Sequence, residues 1–587
     1  MSKGSRVALA GWALSFGAAV ALEVTVLFEF APIFSDFIKI TLYLWVPSAL
    51  MASVVALITR HRADGASSRA GFALCTFALL LPAWLVAIRP FDPYSTGVVG
   101  RAALAAVAAV TLGVICGPLL TRWRPLPWVL TSVVLLAAWV RPRPVVPEGD
   151  PVAVEAARVA VDDRVLVVGL DGATWDVIDP LIRTGELPTF ARLVSEGVRG
   201  TLISTVSPIM PMSNSASGGM RSPVLWTSVI TGREPKDHGI LDMEVTYVPG
   251  LRDPLPFRVP ISWDGFVYQP VNAGMQRVKT LWTIFSEHGL RVGSVAWWPS
   301  WPVESVNGFI VSDRYRGEAD GTGRVEPPDL VDRYEMVRLF EDFEVGNIFV
   351  DCEDVGLDDS FVPERLTRMF RHDHFAGVVS PDLLAAEDWD FASVYLKAPD
   401  VAQHYFWHWH DPELRVSRPR YEEFPYDPVV GAYRHVDDVL AALVAATDER
   451  TTILVVSDHG AGTWQEEHGF VLHLWNKQRI RDRWMGNHRP DGIFLAWGRE
   501  AAKGVRLDRP VSLVDVAPTA LHILGFPVAR DFDGRVLTGA LRTDGAGARA
   551  PVHVASYETE IRQAVYEVDP ALDASIEADL RSLGYLN

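Results

Sequence analysis

The stretch Thr451–Gly460, which reads Thr-Thr-Ile-Leu-Val-Val-Ser-Asp-His-Gly, predicts the class of fold. Apolar and β-branched residues run without alternation and then stop at Asp458 and His459, a pattern typical of a buried strand in a parallel sheet. Ligands of open α/β sheets collect at the carboxyl ends of strands. A carboxylate beside an imidazole at such an end suits a divalent transition metal. An Asp-His pair alone says little, so the interpretation depends on further ligands at other strand ends.

The composition indicates an acidic chain with more than one structural unit. Its 587 residues exceed one typical domain. Lys and Arg number 54 against 72 Asp and Glu, and the resulting net charge of −18 argues against a nucleic acid polymer as partner. Two of the three cysteines, Cys75 and Cys116, lie in apolar runs, so a disulfide framework is not expected.

The first 145 residues have the hydropathy of a membrane domain. The apolar runs, which lie between short charged or Pro/Gly breaks, are residues 7–30, 40–59, 71–88, 102–120 and 126–140. The first four approach the ~20 residues that span a bilayer, and Arg124 and Arg141 flank the shorter fifth. A cleaved signal peptide would explain only the first run. We therefore predict that residues 1–145 form an all-α transmembrane domain of about five helices in contact with the lipid bilayer.

The distribution of arginines predicts the orientation of that domain. Alternate loops carry the basic residues Lys3, Arg6, Arg60, Arg62, Arg69, Arg122 and Arg124. These loops would be cytoplasmic by the positive-inside rule, although Arg89 and Arg101 weaken the asymmetry. Five spans would place the rest of the chain outside the cytoplasm, at the cell membrane. If the fifth run lies at the membrane interface without crossing the bilayer, the chain after residue 145 would be in the cytoplasm. A Pro-rich linker is expected at 146–161.

A second buried strand ends at Asp171, where Gly172 lets the backbone turn away at once. The spacing of apolar residues predicts one helix from Val177 to Gly197, so the segment is a β-α unit. Asp171 would then either point into the cleft at the sheet edge or cap the helix that follows.

Ser222 begins the segment Arg221–Ile240. Ser222 and Pro223 form a helix-start signal, with serine at the N-cap and proline at the first helical position. The same position lets a hydroxyl and free backbone N–H groups receive an anion such as phosphate. A cation on its oxygen would lower the serine pKa and make Ser222 a nucleophile.

Further ligand candidates follow other predicted strands. Asp400 and His404 come after the strand Phe391–Leu396, and their spacing of four puts both on one face of a helical turn. His488 precedes another strand and competes with His468 and His473 as the last ligand. A further helix is predicted over Val511–Leu524. The remaining histidines of this region, His408 and His410, are expected to stay outside the set of ligands.

Taken in order, these segments resemble the alkaline phosphatase superfamily, and within it the nucleotide pyrophosphatase/phosphodiesterase-type branch. The resemblance covers residues 162–540. The motifs that carry it are Leu-Asp-Gly at 170–172, the Ser222 segment closing in Thr-Gly and His-Gly-Ile, Asp-x-x-x-His at 400–404, Ser-Asp-His-Gly at 457–460, His-Arg-Pro-Asp-Gly-Ile-Phe at 488–494, Val-Asp-Val-Ala-Pro-Thr at 514–519 and Asp-Phe-Asp-Gly-Arg-Val-Leu at 531–537.

The resemblance implies an α/β fold with a central, mostly parallel sheet flanked by helices, and two divalent metal ions, most often zinc. One metal would be held by Asp171, Ser222, Asp458 and His459, and the other by Asp400, His404 and His488. Ser222 would attack phosphorus, and water would hydrolyse the phosphoserine-type intermediate. The implied activity is that of a metal-dependent phosphodiesterase or phosphatase, and the predicted membrane domain would anchor it. Its substrate would be a phosphate ester, and an anchored enzyme could take one that is lipid-linked.

The sequence departs from the family pattern beside the nucleophile. Many nucleotide phosphodiesterases have an asparagine three residues after the nucleophile, and Leu225 occupies that position here. Pro223 also lacks an N–H, so the sequence identifies no non-metal oxyanion donor. The predicted domains are a catalytic domain at 162–545, with substrate-selecting insertions at 243–350, and a C-terminal tail and helix at 546–587.

Two other functions fit parts of the sequence. Five spans before a domain of this superfamily also resemble enzymes that move phosphoethanolamine or phosphoglycerol from a lipid to an envelope acceptor. A binding module with a dead site is a third reading, although every expected ligand position holds a competent residue. The pattern does not fit a sulfatase, because Ser222 is followed directly by Pro223 without the Cys/Ser-x-Pro-x-Arg signature. The sequence does not indicate an oligomeric state.

Overall fold

The computed structural model describes residues 149–205, 220–249, 253–258, 265–349, 364–412, 427–463 and 486–583, except 561 and 563. The predicted transmembrane domain at 1–145 lies outside the described residues. None of the helices within these ranges has the length and apolar character that a membrane crossing requires. The chain divides into two compact units, and the larger comprises residues 146–245, 257–261 and 269–587.

The strands are β1 Arg164–Leu170, β2 Val198–Ile203, β3 Glu244–Tyr247, β4 Val267–Pro270, β5 Val292–Val295, β6 Gly308–Val311, β7 Val325–Glu326, β8 Phe391–Leu396, β9 Thr451–Val456, β10 Gly460–Thr463, β11 Gly486–Arg489, β12 Asp491–Gly498, β13 Val505–Arg506, β14 Val511–Ser512, β15 Val528–Ala529 and β16 His553–Val554.

The α-helices are α1 Pro151–Ala157, α2 Trp175–Thr184, α3 Pro188–Glu196, α4 Ser222–Thr231, α5 Pro235–His238, α6 Leu281–Glu287, α7 Leu330–Arg333, α8 Met336–Glu341, α9 Glu364–Ala386, α10 Ala398–His410, α11 Pro428–Ala445, α12 Val516–Ile523 and α13 Pro570–Leu583. Short 3-10 turns occur at Ala273–Met275, Val345–Asn347, Leu513–Asp515, Thr538–Ala540 and Ala546–Ala548.

A single mixed sheet organises the larger unit. Its strand order is β13-β2-β12-β9-β1-β8-β5-β6-β7, and β14 also pairs with β2. The central strands β9, β1, β8, β5 and β6 are parallel. The strand β12 runs antiparallel to both β9 and β2, and β7 runs antiparallel to β6. The expected mostly parallel sheet flanked by helices is therefore present.

Helices cover both faces of this sheet, which explains why its strands do not alternate between apolar and polar residues. Leu166 and Val168 of β1 belong to the core that includes residues of α3, α9 and α11. Val165 and Val167 face the other way, into a core with residues of α4, α6 and α12. Every residue of β9 is buried.

The register brings three strand ends to one edge of the sheet. Gly169 of β1 is paired with Tyr395 of β8 and with Val456 of β9. The residues that follow these strands, including Asp171, Lys397 and Asp458, therefore leave the sheet side by side. In a parallel arrangement this edge is where a ligand site forms.

Two helices replace the single helix expected at Val177–Gly197. The first, α2, ends at Gly185, which has a φ of 82° in the left-handed region. Glycine adopts this conformation with little strain because it has no Cβ. The second, α3, starts anew because both carboxylate oxygens of Asp437 accept hydrogen bonds from its first backbone N–H groups, at Thr189 and Phe190. The cap comes from α11, 247 positions away, so local spacing could not reveal the break.

Three other segments also differ from the sequence expectations. The predicted linker at 146–161 contains α1, which Asp150 caps and whose Val154 is buried. The helix expected at Val511–Leu524 begins at Val516, after β14 and a 3-10 turn closed by Ser512 and Asp515. Within 243–350, the strands β5, β6 and β7 belong to the central sheet.

Candidate metal and phosphoryl-transfer site

The ends of β1 and β9 bring two carboxylates together at the sheet edge. Asp171 and Asp458 are both buried. Gly172, with a φ of 68°, turns the chain and donates its backbone N–H to Asp458 Oδ1 over 3.3 Å. The N–H of His459 donates to the same oxygen over 3.0 Å. Asp171 is not a helix cap, because Thr174 caps α2, so of its two predicted roles the structure shows the one in the cleft.

Ser222 lies against Asp171. Its Oγ donates to Asp171 Oδ1 over 3.5 Å, and the side chain is fully buried. The helix α4 begins at Ser222 with Arg221 in the N-cap position, so Ser222 is the first helical residue rather than the predicted cap. Its hydroxyl is consequently not used to cap the helix and remains directed to the carboxylate.

Two aromatic residues that the sequence analysis did not identify hold Asp171 in place. Tyr395 of β8 donates its hydroxyl to Asp171 Oδ2. Trp226 donates its indole N–H to the same oxygen over 3.4 Å. The Trp226 ring fits only because residue 169 is glycine, since a Cβ there would lie 2.7 Å from the ring. An aromatic residue in a buried strand is normal core composition, so no sequence signal marked Tyr395 as part of the site.

A second group of ligands combines α10 with β11. Asp400 and His404 face the same side of α10, with 3.3 Å between Asp400 Oδ1 and His404 Nε2. His488 Nε2 is 3.4 Å from the same carboxylate oxygen and 2.8 Å from His404 Nε2. The competing candidates His468 and His473 lie outside the described residues.

His459 connects the two groups. Its Nε2 is 3.3 Å from Asp171 Oδ1, 3.6 Å from Asp458 Oδ2 and 3.9 Å from Asp400 Oδ1. Its Nδ1 lies 3.0 Å from the Gly460 carbonyl, which can only accept, so Nδ1 carries a proton and Nε2 faces the carboxylates. The ring stacks on His488 with 3.6 Å between centroids.

The pKa shifts within this cluster indicate that its buried carboxylates favour a nearby positive charge. Burial raises the pKa of Asp458 well above its usual range, and the Asp171 charge adds to that rise. Burial alone would lower the pKa of His459, but Asp458, Asp171 and Asp400 outweigh it and raise the value to about 10. Burial and the His459 charge lower the pKa of His488 to about 3. The carboxylates thus favour a positive charge beside them.

The residues fit a metal centre. In the described part of the chain, two sets of ligand atoms lie within 4.8 Å of one another: Asp400 with His404 and His488, and Asp171 with Asp400 and His459. Asp458 Oδ2 and His459 Nε2 are buried and have no hydrogen-bond partner among the described residues. Oxygen and imidazole donors in this mixture suit zinc and its neighbours.

A pocket opens beside Asp171 and Asp400, and its lining includes Arg316, His372 and Lys397. The sequence analysis did not identify these basic residues, because Arg316 and Lys397 are far apart in the chain and neither belongs to a recognised motif. Leu225, at the position where many relatives have a donor, is instead buried in the core.

Residues 165–510 match the family model described as type I phosphodiesterase / nucleotide pyrophosphatase. No curated protein sequence matches the chain. Among solved structures, murine ectonucleotide pyrophosphatase / phosphodiesterase 5 is similar with 13% identity and a TM-score of 0.36, over 65% of this chain and 100% of that one. The human protein of the same name gives 14% identity and 0.38, with coverage of 65% and 100%. An inactive murine variant in complex with AMP gives 13% and 0.36, with coverage of 62% and 96%.

Proposed function

This chain belongs to the type I phosphodiesterase / nucleotide pyrophosphatase family and is a phosphoric ester hydrolase, and we propose that it hydrolyses phosphodiesters through Ser222 at a site for two divalent metal ions. One observation carries the proposal more than any other. Three buried carboxylates, three histidines and one serine from five separate segments converge on one edge of the sheet. Burying so much negative charge without a cation would cost several kcal/mol per ion.

Two sets of side chains would hold the ions. Asp171, Ser222, Asp458 and His459 form the set around the nucleophile, and Asp400, His404 and His488 form the other. The ions, for which zinc is the best match to these ligands, would lower the pKa of the serine hydroxyl and neutralise charge on the leaving oxygen.

The chain's own residues perform the remaining tasks. Ser222 Oγ would attack phosphorus while the bond to the leaving alcohol's oxygen breaks, and that oxygen would take up the proton that the serine loses. Water would then cleave the serine–phosphorus bond, which restores the Ser222 hydroxyl and releases the phosphate monoester. Asp171 orients the hydroxyl over 3.5 Å. Tyr395 and Trp226 fix the other oxygen of that carboxylate, so the serine keeps its direction. The buried setting excludes bulk water, which strengthens each of these interactions.

The experiment that tests the proposal compares Ser222→Ala with the wild type on bis(para-nitrophenyl) phosphate and para-nitrophenyl phosphate. We expect the diester to be the better substrate, chelation to remove the activity and added zinc to restore it. Ser222→Ala should lower kcat by at least about 10³-fold, because the proposed nucleophile is removed. The exposed Ser195→Ala is the matched control and should be indistinguishable from the wild type.

Two results would refute parts of this proposal separately. Full activity of Ser222→Ala would remove Ser222 from the mechanism and leave the metal site standing. Activity that survives complete removal of divalent ions would refute the metal site itself. Unfolding curves and circular dichroism of the variant must match those of the wild type for either conclusion.

We further propose that residues 1–145 anchor the enzyme in the cell membrane with the catalytic domain outside the cytoplasm. The five apolar runs and the arginine pattern support this proposal. A reporter that works only outside the cytoplasm, fused after residue 150, should be active. Activity of a cytoplasm-only reporter at the same point would place the domain on the other side.

A phosphotransferase remains the second candidate, because an anchored site can take its substrate from the bilayer. Incubation with a phospholipid donor, with and without an added alcohol acceptor, separates the two. A hydrolase should give the same products in both cases. Transfer of the phosphoryl unit to the alcohol in preference to water would identify a transferase.

A further inference from the structure

The pocket beside the metal-ligand cluster is lined by two cationic side chains that form no ion pair within the part of the chain that the structure describes. Lys397 follows β8 directly, and Arg316 lies in the loop after β6. Both line the pocket that Asp171 and Asp400 also line. Asp171 also accepts the hydrogen bond from Ser222, so the pocket adjoins the proposed nucleophile.

Both residues are held in place, Arg316 through its guanidinium and Lys397 through its backbone. Arg316 Nη1 donates to the carbonyls of Asp313 and Tyr315, each over 2.8 Å. The backbone N–H of Lys397 donates to Asp373 Oδ1. The two side chains thus start from fixed points, as a preorganised binding group requires.

Neither cation forms an ion pair with a carboxylate among the described residues. The carboxylates in the pocket wall have other partners. Asp313 Oδ1 accepts from the N–H and Oγ of Ser300 and from the N–H of Trp301. Asp579 pairs with Arg368 over 2.8 Å. Both cations therefore line the pocket without an ion pair among the described residues, although the Asp313 and Asp579 charges still act on each of them.

The two cations also act on each other. Burial and the adjacent Arg316 charge lower the pKa of Lys397 to about 8, although Asp373 and other carboxylates act in the opposite direction. A side chain in this position is stabilised when an anion arrives between the two charges. Such a pair is costly without a ligand and favourable with one, which is typical of a binding site.

We propose that Lys397 and Arg316 form a subsite for a second oxyanion of the substrate, beyond the phosphoryl group that Ser222 attacks. The preferred substrates are then phosphodiesters or phosphoanhydrides that carry another phosphoryl or a carboxylate group. This inference rests on the proposed hydrolase function and narrows its substrate class. Arginine contributes a planar fork and lysine a point charge, and both phosphoryl and carboxylate oxygens suit that combination.

The test measures kcat/KM of Lys397→Met on two diesters and one phosphoanhydride of the same nucleotide. Para-nitrophenyl thymidine monophosphate has an uncharged leaving group, thymidine triphosphate has a diphosphate leaving group, and the para-carboxyphenyl ester of thymidine monophosphate has a carboxylate. Losing one charged hydrogen-bonding partner should lower kcat/KM about 10- to 100-fold for an anion-bearing substrate. The uncharged ester should change by less than about 3-fold. The anion-bearing substrate with the larger loss identifies phosphoryl or carboxylate as the preferred group.

Two variants serve as controls. Lys503→Met makes the same chemical change at an exposed position and should leave all three substrates unaffected. Lys397→Arg keeps the charge and should keep the preference for anion-bearing substrates. If Lys397→Met unfolds, Lys397→Gln provides the same loss of charge with a polar side chain.

A binding measurement decides the question without turnover. Methylenediphosphonate should bind metal-loaded Ser222→Ala protein more weakly once Lys397→Met is added, whereas methylphosphonate should bind equally well. An equal loss for all three substrates and both phosphonates would overturn the subsite, because Lys397 would then act on the scissile phosphoryl group itself. If the wild type hydrolyses none of the three substrates, the proposed function fails, and the phosphonate comparison still decides for or against the subsite.

Discussion

Asp171 shows how single residues prepare this site for chemistry. Its Oδ1 faces Ser222 and His459, and its Oδ2 accepts from Trp226 and Tyr395. One carboxylate oxygen is therefore held by aromatic donors while the other remains directed to the serine and the imidazole. Donors of this kind orient a metal-ligating carboxylate and tune its basicity.

The hydrogen bond from Tyr395 leads to a first prediction. Tyr395→Phe should lower metal affinity or kcat/KM about 10- to 100-fold, because Asp171 loses a donor that fixes its orientation. Metal titration and diester hydrolysis measure the two quantities. The matched control is Tyr315→Phe, since the buried Tyr315 hydroxyl has no hydrogen-bond partner among the described residues. Equal effects of the two substitutions would mean that the Tyr395 hydroxyl has no role at Asp171.

The buried side chain of Glu244 should make the stability of the protein depend on pH. This effect is separate from the candidate metal site. The Glu244 side chain is fully buried beside Arg258, yet burial outweighs that arginine and raises the pKa to about 7. In the unfolded chain the carboxyl group has its ordinary pKa of 4.5, so folding is progressively disfavoured as pH rises from 4.5 to about 7. Below that window both states are protonated and the penalty is absent.

Glu244→Gln should remove this penalty. The unfolding free energy of the variant minus that of the wild type should increase by about 3 kcal/mol as pH rises from 4.5 to about 7. Chemical denaturation of both proteins at several pH values measures the difference. Glu341→Gln, on an exposed side chain, should show no such trend. If the difference in unfolding free energy between the two proteins stays constant with pH, the pKa of Glu244 is not raised.

At the scale of residues, the site residues that directly follow apolar runs could be predicted from the sequence. A site residue inside such a run could not. Asp171 and Asp458 stand out because each ends a run of β-branched residues. Tyr395 is indistinguishable from ordinary core composition, because nothing local says that its hydroxyl meets Asp171. Lys397 and Arg316 become neighbours only when β8 and β6 take their places in the sheet.

Among the elements, the C-terminal helix α13 forms part of the pocket beside Asp171 and Asp400. Its residues Ile576, Asp579 and Leu580 line the same pocket as Lys397. Arg314 attaches the start of the helix by a buried ion pair with Asp573 over 2.6 Å. The same guanidinium donates to the Val271 carbonyl and lies over the Trp301 ring. The shape of the pocket therefore depends on how firmly this helix is attached.

Arg314→Met should release α13. Removing one partner of a buried pair should cost about 3–5 kcal/mol of unfolding free energy, because Asp573 is left buried without its counter-charge. Hydrogen exchange over residues 570–583 should accelerate, and diester hydrolysis should weaken as the pocket opens. Arg338→Met, which breaks an exposed pair with Glu335, should cost less than about 1 kcal/mol. Unchanged exchange in α13 would show that Arg314 does not hold the helix.

The elements also show where sequence patterns lose information. The strands β8 and β9 were predictable because buried parallel strands have long apolar runs. The break between α2 and α3 was not, since the cap on α3 comes from Asp437 in a distant helix. The late start of α12 has a similar cause, because Ser512 and Asp515 form a capping turn before the helix begins.

At the scale of the whole molecule, the order of motifs along the chain allowed the architecture to be predicted. A parallel sheet places the ends of β1, β8 and β9 at one edge, so ligands from distant segments meet there. The family match over residues 165–510 agrees with this arrangement. The full lining of the pocket was not predictable, because α13 and the loop after β6 contribute to it and neither segment has a motif.

Anomalous diffraction at the zinc edge, from crystals of the full-length protein grown with zinc, tests the central claim most directly. We expect two peaks at the sheet edge, one among Asp171, Ser222, Asp458 and His459 and the other among Asp400, His404 and His488. A single peak at that edge, or zinc bound only elsewhere, would contradict the two-metal site.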